Sequence, residues 1–252
     1  MEKKKIALLL VLSLALVAVV GVFYLPKYTT QELTTPEPTN QTVSSRNVIN
    51  VTALPSPVLT GNVSVEEAIG NRRSVRRFSG ESIDLTGISQ ILWAAQGITN
   101  NQSDLRAAPS AGKVYPLEIY VVTGPGSISG IQEGLYHYRV ADHSLEMVLK
   151  GDLRGDLAGI ATGQQYVQQA PVDIVITGNY QKMIDRYKDT ELCTRFVDLE
   201  AGHVGENIYL QSEALGMVTV AIGSFDEAQF VQLLHLPANE KPIYIYPVGH
   251  PQ

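Results

Sequence analysis

The chain has 252 residues, 44% of them hydrophobic, and a net charge of -6. That apolar content suffices for one globular core with extensions and excludes a wholly disordered chain, while the acidic balance excludes a general nucleic-acid binder, which needs a concentrated basic surface. Cys193 is the single cysteine, which excludes an intrachain disulfide, a cysteine zinc site and a CxxC redox pair.

The N-terminus opens with Lys3, Lys4 and Lys5, followed by an uncharged run over 6–25. About 20 residues at 1.5 Å rise cross a hydrocarbon core of roughly 30 Å, so the run predicts an N-terminal membrane anchor over 1–25. A secretory signal segment is the alternative. Its apolar region is usually only about 7 to 15 residues and ends on small side chains, whereas Val22, Phe23, Tyr24 and Leu25 are bulky. Three lysines before the run and Lys27 after it place the N-terminus in the cytoplasm. The protein is therefore expected to be single-pass, with an extracytoplasmic domain. Residues 26–60 turn to Thr, Pro, Asn and Ser without periodicity and predict a linker, which leaves 61–252 as the domain.

Within the domain, Ser64-x-x-Glu67 is a capping pattern that opens a short helix running into Arg72. A second helix is expected over 84–96, with Ile88, Leu92 and Ala95 on one face and Gly97 as its stop. Leu117–Thr123 reads as a strand, and 135–140 with 145–150 as a hairpin about Asp142 and His143. Helix is expected over 153–168, a buried strand over 172–177, and the longest helix over 198–215, ended by Gly216. Asp226-x-x-Gln229 caps a helix through Leu234, and 242–248 closes the chain as a strand. Helices interleaved with hairpins in irregular order predict an α+β fold.

Two segments carry chemistry. Arg72, Arg73, Ser74 and Arg76 follow the first short helix; guanidinium forks and a hydroxyl match the oxygens of a single phosphate group, though a solvated basic turn has the same composition. Pro109, Ser110, Ala111 and Gly112 precede a strand. Small residues there let a flat ligand approach the backbone, although an ordinary loop looks alike.

These segments, in this order with Ile222-Gly223 and the closing Tyr246-Pro247-Val248-Gly249-His250-Pro251, resemble the flavin mononucleotide (FMN) oxidoreductases of the nitroreductase family. Glu200-Ala201-Gly202-His203 running into Asn207, with Leu135-Tyr136-His137-Tyr138 upstream, is most similar to the SagB/ThcOx-type dehydrogenases. The resemblance implies a mixed, mainly antiparallel sheet flanked by helices. It implies FMN, with Arg72, Arg73, Ser74 and Arg76 at the phosphate and ribityl chain, Pro109, Ser110, Ala111 and Gly112 along one ring edge, and Ile222 and Gly223 bringing backbone close to the ring. It also implies a homodimer that shares each flavin, and a small-molecule or peptide substrate. Azoline-oxidising members carry a Lys-Tyr pair ahead of the long helix, where this chain has Arg186-Tyr187. Arginine does not accept protons at physiological pH, so Tyr187 is the acid/base candidate, and whether azoline oxidation survives with Arg186 in place of the lysine is left open by the sequence.

His203 and Glu206 are a metal half-site without a matching pair, and no metal is expected. Trp93, among apolar neighbours, is expected in the core. The reading is a membrane-tethered FMN oxidoreductase; the alternative is a noncatalytic extracytoplasmic binding module with the same fold.

Overall fold

The computed structural model describes residues 47–100 and 102–252. The anchor expected at 6–25, and the linker up to residue 46, lie outside the described residues. Among the described residues no helix is long and apolar enough to cross a membrane.

The elements run β1 (Asn50–Ala53), α1 (Val65–Asn71), α2 (Leu85–Gln96), β2 (Ile98–Asn100), β3 (Leu105–Arg106), β4 (Leu117–Thr123), β5 (Gly134–Arg139), β6 (Ser144–Lys150), α3 (Arg154–Ile160), α4 (Gln165–Gln169), β7 (Val172–Gly178), α5 (Tyr180–Tyr187), α6 (Thr190–Ala214), β8 (Val218–Thr219), α7 (Glu227–Leu233) and β9 (Lys241–Gly249). Seven strands form one sheet in the order β1-β6-β5-β4-β7-β9-β8, with every neighbour antiparallel. The fold is α+β, as expected, with helices on both faces of the sheet.

Period-two patterning divides the core. Leu117, Ile119 and Val121 of β4 face a cluster with Ile88, Ile91 and Leu92 of α2 and Val197, Ala201, Val204 and Ile208 of α6. Tyr120 and Val122 face a second cluster with Leu157 of α3, Val167 of α4 and Phe230 of α7. Because helices cover both faces, β7 is buried at every residue, with Val172, Ile174, Val175 and Ile176 apolar and Asp173 and Thr177 buried among them, and shows no apolar–polar alternation.

Local polar groups start the helices where the sequence indicated. Ser64 Oγ accepts the Glu67 N–H at 3.1 Å, and Asp226 Oδ1 accepts that of Gln229 at 2.9 Å. The stretch 153–168 is not one helix but two, broken at Thr162 and Gly163, which both take positive φ. The long helix begins at Thr190, ahead of the expected 198, because Asp189 accepts the Leu192 N–H at 2.9 Å and caps it there. Helix α5 was not foreseen. It is mostly polar, and Asn179 caps it while Met183 is its buried anchor.

The linker boundary also needs correction. Residues 50–53 form β1, paired antiparallel with β6. Further along, the Val58 N–H donates to Gln90 Oε1 at 2.8 Å and Gln90 Nε2 donates to Val58 O at 3.0 Å. Composition marks this stretch as polar and aperiodic, yet a free sheet edge and a buried amide take up its backbone groups.

Candidate functional site

Two groups of side chains meet helix α6 at different levels. The first is built on the extended stretch leaving α1, whose Val75 N–H donates to Thr219 O at 3.0 Å and whose Ser74 bridges Thr219 in parallel. Ser74 Oγ lies 2.8 Å from the Tyr209 hydroxyl, and that hydroxyl oxygen accepts the Ala221 N–H at 2.8 Å. The Arg72 guanidinium carbon stands 5.1 Å from the centre of the Tyr209 ring, a cation–π distance, with Nε 3.8 Å from Glu206. Ile222 follows Ala221 directly. It is buried and exchanges backbone hydrogen bonds of 2.9 Å with Ile245, which leaves Gly223 exposed beyond it.

The four cationic and hydroxyl candidates are not equivalent. Arg72 and Ser74 share Tyr209. Arg76 lies 5.9 Å from the Tyr166 ring of α4, while Arg73 turns back, donating to Gly70 O at 3.0 Å and Arg72 O at 2.7 Å.

The second group surrounds Pro109, Ser110, Ala111 and Gly112. Gly112, Lys113 and Tyr115 all take positive φ, between 49 and 59°, and the Tyr115 N–H is held by Ser110 Oγ at 2.9 Å. The Tyr187 hydroxyl occupies the space a Gly112 side chain would fill, so glycine here answers both the backbone angle and a close approach. The Tyr187 ring packs edge-on to Phe196 of α6 at 5.3 Å. Behind the loop, Gln96 Nε2 donates to Glu200 Oε1 at 3.3 Å, and Arg106 Nη1 donates to Gln96 Oε1 at 3.2 Å. The Arg106 guanidinium sits 4.4 Å from the Tyr115 ring centre. Burial pushes the Glu200 carboxyl above its ordinary range, opposed by Ser110, Gln96, Arg106 and Lys182.

Glu200 and Tyr209 are separated by nine positions, or about 13 Å of helix rise. The structure therefore joins Arg72, Ser74 and the 221–223 stretch in one place, and Tyr187 with the 109–112 loop in another. Tyr209 and Glu200 were not singled out by sequence reasoning as site residues. The signal for Glu200 was present, since a carboxylate stands beside the apolar stripe Val197, Ala201, Val204 and Ile208. Tyr209 had none, because an aromatic residue in a long helix reads as packing.

A cavity of about 750 Å³ lies elsewhere, between the 58–65 stretch, α2 and α6. None of the predicted site residues lines it. Trp93 does, so this indole is on a cavity wall and only partly buried, with Nε1 donating to Ile98 O at 3.3 Å.

The family model of the nitroreductase family matches residues 69–250. A protein of Methanocaldococcus jannaschii named among the nitroreductases is 35% identical over 187 residues, which are 74% of this chain and 91% of that one. The NADPH-flavin oxidoreductase of Vibrio harveyi is 31% identical over 115 residues, 43% of this chain and 48% of its own. Among solved structures, a protein of Ralstonia eutropha JMP134, also named among the nitroreductases, matches with a TM-score of 0.70 at 29% identity, over 83% of this chain and 91% of that one.

Proposed function

The chain belongs to the nitroreductase family and is an oxidoreductase of flavin type, and from that premise we propose that it binds FMN and passes electrons from a donor to a small organic or peptide substrate. Arg72, Ser74 and Arg76 would hold the phosphate and ribityl chain, joined by Arg73 once it leaves its bonds to Gly70 O and Arg72 O; Pro109 to Gly112 would line one edge of the ring, and Ile222 with Gly223 another. The observation that carries the proposal is the Tyr209 hydroxyl, which is bonded at once to Ser74 and to the Ala221 N–H. It brings Ser74, with Arg72 over the same ring, next to Ala221 although the two segments are far apart in sequence, which supports a shared role for the arginine-serine run and the 222–223 backbone.

The donor set suits this ligand. Guanidinium groups and a hydroxyl at the end of a short helix match a phosphate dianion, and the exposed Gly223 leaves a backbone edge open to a flat ring. When bound, FMN supplies hydride or one-electron chemistry. The chain's own task is to hold it, exclude water and deliver a proton. Tyr187, its hydroxyl seated over Gly112, is positioned to give or take that proton at the loop. The separation of the two groups along α6 supports a homodimer in which the loop of one subunit completes the site of its partner. The likeness to SagB/ThcOx-type dehydrogenases belongs to this proposal too, without azoline oxidation, because Arg186 is exposed and permanently charged.

The test is direct. Purified protein is expected to be yellow, to bleach on reduction and to recover with an acceptor. Replacing Arg72 and Arg76 together by Ala is expected to weaken FMN binding at least about tenfold, since charge-assisted bonds contribute roughly 1.5 to 3 kcal/mol each. Colourless wild-type protein that takes up no FMN in a titration would overturn the proposal.

A further inference from the structure

Glu200 stands on the buried side of α6 and is only 2% exposed. A carboxyl in such a place is costly unless it is paired. Gln96 Nε2 serves its Oε1 at 3.3 Å, and Gln96 is committed in turn to Arg106. Glu200 Oε2 is buried without a hydrogen bond of good geometry among the described residues, and the Ser110 hydroxyl faces the same carboxyl. Ser110 Oγ already accepts the Tyr115 N–H, so it has one lone pair and one proton left to divide between Glu200 and the open side of the loop.

We propose that Glu200 is a positioning residue whose protonation sets the direction in which the Ser110 hydroxyl points. Ionised, the carboxylate draws the Ser110 O–H inward, and only an oxygen lone pair faces out of the loop. When Glu200 takes up one proton from water, its own O–H donates to Ser110, and the Ser110 proton swings outward as a donor. The loop backbone is held meanwhile by its left-handed residues and the Tyr115 bond. The identity of what Ser110 faces, the flavin edge, rests on the FMN reading above. The coupling between Glu200 and Ser110 does not.

The groups acting on the Glu200 carboxyl are Gln96 from α2, Arg106 from β3, Ser110 from the loop and Lys182 from α5. Arg106 and Lys182 favour the carboxylate, and burial favours the acid and outweighs them. The turning point therefore falls above the ordinary glutamate range.

Infrared difference spectra of the full-length protein without flavin, titrated between about pH 4 and 9, test the coupling. A protonated-carboxyl band that disappears in Glu200→Gln is expected, and Ser110→Ala is expected to raise its titration by about half a unit or more. Asp173, another buried carboxyl, contributes a band that Glu200→Gln leaves in place. No band assignable to Glu200, or a titration that Ser110→Ala does not move, overturns the proposal. With FMN bound, the flavin midpoint potential is expected to change slope with pH at the same titration, and to lose that break in both variants. A break that persists in either variant also overturns it. Failure of wild-type protein to take up FMN refutes the proposed function instead, and the infrared titration still decides the coupling. Should Glu200→Gln fail to fold, Ser110→Ala, on a partly exposed loop, keeps both measurements available.

Discussion

Asp173 sits in the interior strand β7 with both carboxyl oxygens buried and without hydrogen-bond partners among the described residues. Burial raises it well above its ordinary value of 3.8, against the pull of Arg154. The unfolded chain releases this proton near that ordinary value while the folded chain keeps it. Stability therefore falls as pH rises from there through the folded value and then levels. Asp173→Asn is expected to melt higher than wild type at pH 7, with the gain vanishing in acid; equal melting at pH 7 would contradict the assignment. Glu118 has the opposite sign. Burial alone would raise it, yet hydrogen bonds from His137 at 3.0 Å and Lys182 at 2.7 Å bring it down to about 2. Its contribution is present above the ordinary 4.5 and is lost as pH falls through about 2. Glu118→Gln is expected to cost about 1.5 to 3 kcal/mol at neutral pH, less at pH 3, as read by urea denaturation at both. At the proposed site, Tyr209→Phe removes the bonds to Ser74 and Ala221 and is expected to weaken FMN binding by about five- to thirtyfold. An unchanged FMN titration would remove Tyr209 from the site.

Helix α6 organises the domain, and its glycines show how it packs. Gly205 faces β9, and a methyl group there would fall on the Tyr246 hydroxyl, whose ring meets Tyr209 edge-on at 5.7 Å. Gly202, three residues earlier, has open space around the same position. Intrinsic helix propensity favours alanine at both sites by about 1 kcal/mol. Gly202→Ala is accordingly expected to stabilise by up to about that amount, whereas Gly205→Ala is expected to destabilise by about 1 to 3 kcal/mol through overpacking. Melting temperatures that shift in the same direction would show that α6 does not seat on β9 in this register.

For the molecule as a whole, the stretch ahead of residue 61 is part of the domain. Besides β1, the Pro55 carbonyl accepts from Ser89 Oγ at 2.6 Å and lies 3.0 Å from His143 Nε2. A fragment beginning at residue 61 is expected to melt several degrees below one beginning at 47, because it exposes the β6 edge and strands Gln90; equal melting would make β1 dispensable. The anchor over 6–25 and the outward placement of the domain are proposals resting on composition and on Lys3, Lys4 and Lys5. Protease added to intact cells is expected to digest the domain, and protection would place it on the cytoplasmic side, within reach of NAD(P)H. Outside, the soluble nicotinamide pool is absent and a membrane-borne donor is expected.

Patterns within a few residues were sufficient to set the fold class, the capped helix starts at Ser64 and Asp226, and the buried strands. Caps and apolar periods act over one turn or one pleat and leave their mark in adjacent positions. The arginine-serine run and the 109–112 loop could be picked out as segments for the same reason. What tertiary structure decided has no local mark. Ser74 meets Tyr209 across 135 positions, Gln96 meets Glu200 across 104, and β1 finds its partner in β6. Each of these is set by which surface the sheet and α6 leave free once their apolar faces are buried. The divergent placements of Arg72, Arg73 and Arg76, alike in sequence, follow from the same cause.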